Sequence, residues 1–185
     1  MAEPGQRHRI GPEHGRLIVR TSRQGLAAHA GHDLTIEVTR WRGEVLLAED
    51  RAASSVSVTV ETESLRVLEG VGGLKPLSER DKREIEATAQ RLLDVRNHPE
   101  LHFVSTEIVF NASGAVIDGT LTLLGRARRL RLDVTSRGNG SYRGTGTVLQ
   151  SEYGIKPYTA FFGALKLADA VVVEADVEFT TSAAP

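Results

Sequence analysis

An all-β chain, an antiparallel barrel interrupted by one main helix at about residues 78–93, is what this sequence predicts. Three observations carry that prediction. First, the dominant hydrophobic period is two. Leu34, Ile36 and Val38 alternate with Thr35, Glu37 and Thr39, and Val56, Val58 and Val60 alternate with Ser55, Ser57 and Thr59. The same holds for Leu130, Leu132 and Val134 among Arg129, Arg131 and Asp133, and for Val171 through Phe179 among Glu174, Asp176 and Glu178. Strict alternation puts apolar side chains on one sheet face and polar ones on the other, the pattern of one-sided antiparallel sheet. Second, turn residues separate the strands at short intervals, as in Asn111-Ala112-Ser113-Gly114 and Arg137-Gly138-Asn139-Gly140. Third, a single segment has helical period.

Taken in order, residues 1–14 are polar and read as a flexible lead into one domain over 15–181. Further strands are expected at 16–23, 42–47, 100–110, 115–124 and 142–150, about nine in all. The segment SERDKREIEATAQRLL begins with a capping Ser78 and acidic Glu79 and Asp81. Ile85, Ala89 and Leu92 then share one stripe. A many-stranded sheet with one apolar face must bury that face, and closing it removes exposed edges. A barrel of about eight strands is either filled by side chains or holds one ligand. Gly144 and Gly146 share a face with Tyr142 and Val148, and strand glycines mark a bend or the close approach of a ligand.

Composition limits the function classes. The chain has 185 residues, 40% hydrophobic and 25% charged, with a net charge of −1, so nothing global attracts nucleic acid. It has no cysteine, which excludes a disulfide framework, a thiol nucleophile or a cysteine-based metal site. No apolar run approaches the roughly 20 residues that span a bilayer, so stable membrane insertion is not expected. The N-terminal stretch has no signal-like apolar segment, and the expected compartment is the cytoplasm. The glycines of RGNGSYRGTG are wrongly spaced for a dinucleotide fingerprint. Neither a nucleophile elbow nor a P-loop is present.

Several motifs resemble one family. LLDVRNHPELHFVSTEI (92–108) follows directly on the charged helix, DGTLTLLGRARRLRLDV (118–134) has a Gly-x-Leu-Thr strand, a turn and a Leu-Asp-Val strand, and EYGI (152–155) precedes the last strand LADAVVVEADVEF. In order and spacing these are similar to the YceI-like proteins, a lipid- or polyisoprenoid-binding family. The resemblance implies a lipocalin-like barrel that holds a lipid chain, with no catalysis, no metal and no cofactor beyond that ligand. The sequence departs from the family's pattern in its basic RARR turn after Gly125, and the secretory signal that many relatives carry is not expected here.

The expected ligand is a long apolar lipid such as a polyisoprenoid or an isoprenoid quinone, carried or stored inside the barrel. The expected lining is Leu34, Ile36, Val38, Val56, Val58, Phe103, Leu121, Leu132, Val134, Val148, Val173 and Phe179, with space left by Gly144 and Gly146. His32 and Arg128 are expected at the mouth, with Phe161 and Phe162 as an aromatic lid. A homodimer through a strand face is a further expectation. Two alternatives stand beside this reading. One is a non-catalytic interaction or stress-response module with a filled barrel. The other is a metal enzyme built on His29, His32, His98 and His102, whose imidazoles would have to converge from separate elements.

Overall fold

Alternation of apolar and polar side chains becomes sheet wherever the apolar face finds cover, and most of this chain does so. The computed structural model describes residues 5–179. In chain order the elements are β1 (Gln6–Ile10), β2 (Gly15–Thr21), β3 (Arg23–Gln24), β4 (His32–Val38), β5 (Trp41–Leu47), β6 (Ser55–Glu61), β7 (Leu65–Gly72), α1 (Glu79–Leu92), β8 (Glu100–Asn111), β9 (Gly114–Leu123), β10 (Arg126–Gly138), β11 (Ser141–Leu149), β12 (Thr159–Ala160), β13 (Leu165–Leu167) and β14 (Ala170–Glu178). Eleven strands form one antiparallel sheet in the order β1-β5-β6-β8-β9-β10-β11-β14-β2-β4-β7. β12, β13 and β3 make a separate small sheet. β9 shows the governing pattern most cleanly: Ala115, Ile117, Gly119, Leu121 and Leu123 are buried, and the residues that alternate with them are half-buried.

The large sheet curls into a half-barrel and is not closed by a ladder, because β1 and β7 remain its two edges. Two features cover the gap. One is a polar knot at the β6–β7 connection. Thr62 and Ser64 are fully buried there. The Thr62 hydroxyl donates to the His98 carbonyl at 2.7 Å, and the Ser64 hydroxyl lies 2.8 Å from the Glu61 carbonyl and 3.2 Å from that of Arg40. Backbone bonds from Thr39 to Ser64 and from Glu61 to Arg40 tie the β4–β5 turn to the same place. Buried hydroxyls are tolerated because each has a partner.

The other feature is α1. A Glu86 carboxylate oxygen accepts the Val67 backbone N–H at 2.8 Å, which occupies a donor on the β7 edge. Leu77 and Ile85 pack on Leu34, Ile36 and Val67. The helix starts as its sequence predicts. Ser78 caps it, and Asp81 returns a bond to the Ser78 N–H at 2.8 Å, completing a capping box. No residue of α1 is fully buried, so capping matters to it more than packing does. Ser78→Ala is expected to destabilise the helix by about 1 kcal/mol, read as faster amide hydrogen exchange over the first turn while the sheet amides keep their protection.

Three expectations need correction. Residues 6–10 belong to no flexible lead: they form β1, paired with β5 from Gln6↔Leu47 to Ile10↔Gly43. Residues 65–72 form a full edge strand, β7, paired with β4 through an irregularity at Thr35/Ile36. That segment is not among the expected strands, because its Glu69-Gly70-Val71-Gly72 run breaks the alternation. The strand that begins at Leu34 in the sequence reading starts instead at His32, and the chain reverses earlier, in a turn at Ala28–Ala30. Asp33 nonetheless accepts a backbone hydrogen bond, from the Arg23 N–H at 2.8 Å.

Candidate functional site

The registers Thr21↔Leu34, His32↔Gly72 and Leu149↔Ala170 bring the ends of β2, β4, β7, β11 and β14 to one end of the barrel. The interior beneath that end is not filled. It holds a cavity of about 700 Å³, within the roughly 300–1,000 Å³ of ordinary ligand sites.

Its wall is aliphatic because inward positions of neighbouring strands stack across the sheet. Among the expected lining residues, Leu34, Ile36, Val38, Val58, Phe103, Leu121, Leu132, Gly144, Val148 and Val173 border the cavity. Five do not. Val56 is buried in the packed core. Val134 packs beside that core and lies under Gly144. The space at Gly146 is already taken by Leu132 and Leu130. Phe179 stacks between His8 and Tyr142, with ring centroids 4.7 and 4.8 Å away. Phe162 is fully exposed and covers nothing. The Phe161 side chain lies outside the described residues.

At the mouth, His32 borders the cavity and its Nε2 lies 2.8 Å from the Lys75 carbonyl. Arg128 does not reach it; its guanidinium donates to the adjacent Ala127 carbonyl and is exposed. Other polar groups at the wall include Thr21, Lys75, Asp81, Glu84, Thr88, Gln150 and Tyr158. The Ser78 hydroxyl, then the Ser78 backbone N–H, hold the Asp81 carboxyl below the usual carboxylate range, so it is charged at neutral pH. Gln150 is spoken for, since its side-chain amide donates to the Ala168 carbonyl at 3.0 Å.

Sequence reasoning missed part of the wall. Leu17, Val19 and Trp41 line it, as do Ile85, Ala89 and Leu92 of α1. The α1 stripe had been visible as an apolar face, but its period says only that something apolar lies opposite. What lies opposite is largely the cavity. The 157–167 segment contributes Tyr158, Ala160, Leu165 and Leu167 to the wall, while Phe162 points to solvent.

The histidines considered as metal ligands have other neighbours. His102 Nδ1 lies 3.2 Å from the Thr59 hydroxyl and its Nε2 lies 3.7 Å from Glu100. His98 stands beside the Gly125 turn, and His29 is exposed. Arg129 and Arg131 of β10 face outward, as the alternation predicts, and Arg129 pairs with Asp118 at 2.9 Å. Among the described residues no helix is long and apolar enough to cross a membrane.

Comparison with known proteins agrees with this architecture. Structures of similar fold include BcnA of Burkholderia cenocepacia, at 16% identity and a TM-score of 0.59, covering 89% of this chain and 96% of that one. A mutant CJ YCEI protein with a monobromobimane guest is similar at 13% identity and a TM-score of 0.58, covering 80% of this chain and 84% of that one. No curated protein matches the sequence. The family model for the YceI-like domain matches residues 9–179, from within β1 to the residue after β14. The chain therefore belongs to the YceI-like domain family.

Proposed function

We propose that this protein binds one extended apolar chain, a polyisoprenoid or the tail of an isoprenoid quinone, and carries or stores it in the barrel. The observation that carries this reading is the cavity of about 700 Å³ with a wall of Leu, Val and Ile. The YceI-like family is known for a polyisoprenoid- or lipid-binding fold and is generally one of binding proteins rather than catalysts, which supports the same reading. Each buried methylene of a ligand contributes about 0.8 kcal/mol before the entropic cost of association. An unbranched or prenyl chain therefore needs few polar contacts to bind tightly. Those it does make fall at the mouth, where Lys75 and Tyr158 offer donors to a hydroxyl, carbonyl or phosphate terminus.

Native mass spectrometry of the purified protein, paired with organic extraction, tests this. The expected result is one lipid per chain, with a mass series spaced by prenyl units. A protein that carries no extractable lipid and takes up no fluorescent prenyl alcohol would return the filled-barrel interaction module as the better account.

A further inference from the structure

Three segments meet around the cavity mouth: 22–31, 71–77 and 156–166. They are joined into one platform. The Ala27 N–H donates to the Ala164 carbonyl, Leu167 to Tyr158, and the Arg23 guanidinium reaches the carbonyls of Gly31 and Val71. β3, β12 and β13 bind two of the segments into the small sheet.

The outward surface of this platform is unusual in two respects. It presents large apolar side chains to solvent: Leu26 is 96% exposed, Leu74 78% and Phe162 114%. Val71 and Tyr158 stand exposed beside them. Phe162 also has φ of 54°, a left-handed conformation that side-chain-bearing residues rarely adopt. An aromatic held at a loop tip at that cost, and packed on nothing, calls for a partner outside the chain. The second respect is charge. The three segments contain Arg23, Lys75, Lys156 and Lys166 and no aspartate or glutamate, although the whole chain carries −1. The three lysines are exposed, and none pairs with a carboxylate among the described residues. Arg23 pairs with Asp33 at 3.8 Å, so the net positive charge is that of the three lysines; on α1, Glu79 is engaged by Lys82, and Asp81 by the Ser78 cap with Lys75 nearby.

We propose that this platform docks the barrel mouth on the surface of an anionic lipid bilayer, so that the ligand passes between membrane and cavity without crossing water. The inference rests on the lipid-binding reading of the cavity and adds where the ligand comes from. Exposed apolar tips bury into the interfacial region, and the flanking lysines meet headgroup phosphates. Because the tips surround the mouth, docking places the opening of the apolar cavity against the acyl region. Attachment is peripheral: few side chains enter, and the lysine contribution weakens as salt is raised.

Flotation of the full chain with vesicles tests the proposal. Two compositions are compared, pure phosphatidylcholine and an equal mixture with phosphatidylglycerol. A labelled prenyl alcohol is offered either in those vesicles or from ethanol. Wild type is expected to float with the anionic vesicles and to extract the label from them. Leu26→Asp combined with Phe162→Asp is expected to load from ethanol as wild type does, yet neither to float nor to extract. Changing Lys75, Lys156 and Lys166 to Gln should weaken anionic-vesicle binding roughly 100-fold. The proposal is overturned if wild type stays with the unbound fraction, if the Asp variant floats equally well, or if light scattering shows a dimer that the Asp variant breaks. Failure of the ethanol arm alone removes the carrier reading and leaves the flotation result to decide docking.

Discussion

Phe103→Ala lowers the stability of the fold by about 3–5 kcal/mol. Phe103 is 5% exposed and sits in the middle of the sheet, paired with Val58 on β6 and Leu121 on β9. Its ring lies over Gly119, where any side chain would collide with it. The register of three strands is therefore built around that ring. At about 2–4 °C per kcal/mol for a chain of this size, the melting temperature should fall by roughly 10 °C. Because Phe103 borders the cavity, the void joins an existing space instead of forming an isolated one. A bound prenyl chain should fill part of it. Ligand is thus expected to raise the melting temperature of Phe103→Ala more than that of wild type. Thermal unfolding with and without a saturating prenyl alcohol checks both statements. A loss under about 1 kcal/mol would mean that the ring is not a packing centre.

The strands that sequence patterning found are those with neighbours on both sides and one face fully covered. β9 is one: its alternation of apolar and polar residues maps directly onto its burial. The two strands of the large sheet that it missed are its two edges. β1 reads QRHRI and buries only Ile10, so its pairing is dictated by the open edge of β5 and not by its own side chains. β7 has Glu69, Gly70 and Gly72 where a central strand would have branched residues, and most of it is exposed. Edge strands carry weak patterns because they need fewer partners.

The limits of the site reading have a similar cause. Period two says which face of a strand points inward, and it was right for β4 and β9, while in β8 an irregularity between Ser105 and Glu107 shifts the inward parity from Phe103 to Ile108. It does not say how far along the strand the interior is open. Val56 and Val58 share a face of β6, yet only Val58 reaches the cavity. Phe179 follows the same alternation as Val173 but lies where the barrel end closes on itself, against His8 and Tyr142. Whether an inward residue meets a void or another side chain is a property of the curled sheet, which local sequence does not encode. The mouth residues depend on loop geometry still less local, and there the reading of Phe162 as a lid gave way to an outward-pointing tip.

Gly144→Leu is expected to weaken ligand binding about 100-fold while the barrel stays as stable as wild type, and Gly146→Leu to lower the stability of the barrel itself. The two glycines are neighbours on the inward face of β11, and the sequence treated them as equivalent sources of space. The geometry separates them. A Cβ at Gly144 would meet only the Val134 Cγ2 atom, at 3.6 Å, an ordinary contact, and the residue borders the cavity. A leucine there extends into empty space and displaces about four ligand carbons. At about 0.8 kcal/mol each that is roughly 3 kcal/mol, or a loss of about 100-fold in affinity. Replacing glycine within a strand costs the backbone nothing and lowers the entropy of the unfolded chain. A Cβ at Gly146 would stand 2.6 Å from Leu132 Cδ2 and 2.8 Å from the Arg131 carbonyl oxygen. The second of these is backbone in the paired strand β10 and cannot turn aside. Gly146→Leu is thus an overpacked core, expected to lose about 1–3 kcal/mol or more. Urea unfolding and titration with a fluorescent prenyl alcohol, run on both variants, read the two effects separately. If Gly144→Leu bound the probe as wild type does, the ligand would not occupy the volume beside β11. If Gly146→Leu were as stable as wild type, Leu132 would have another place to go.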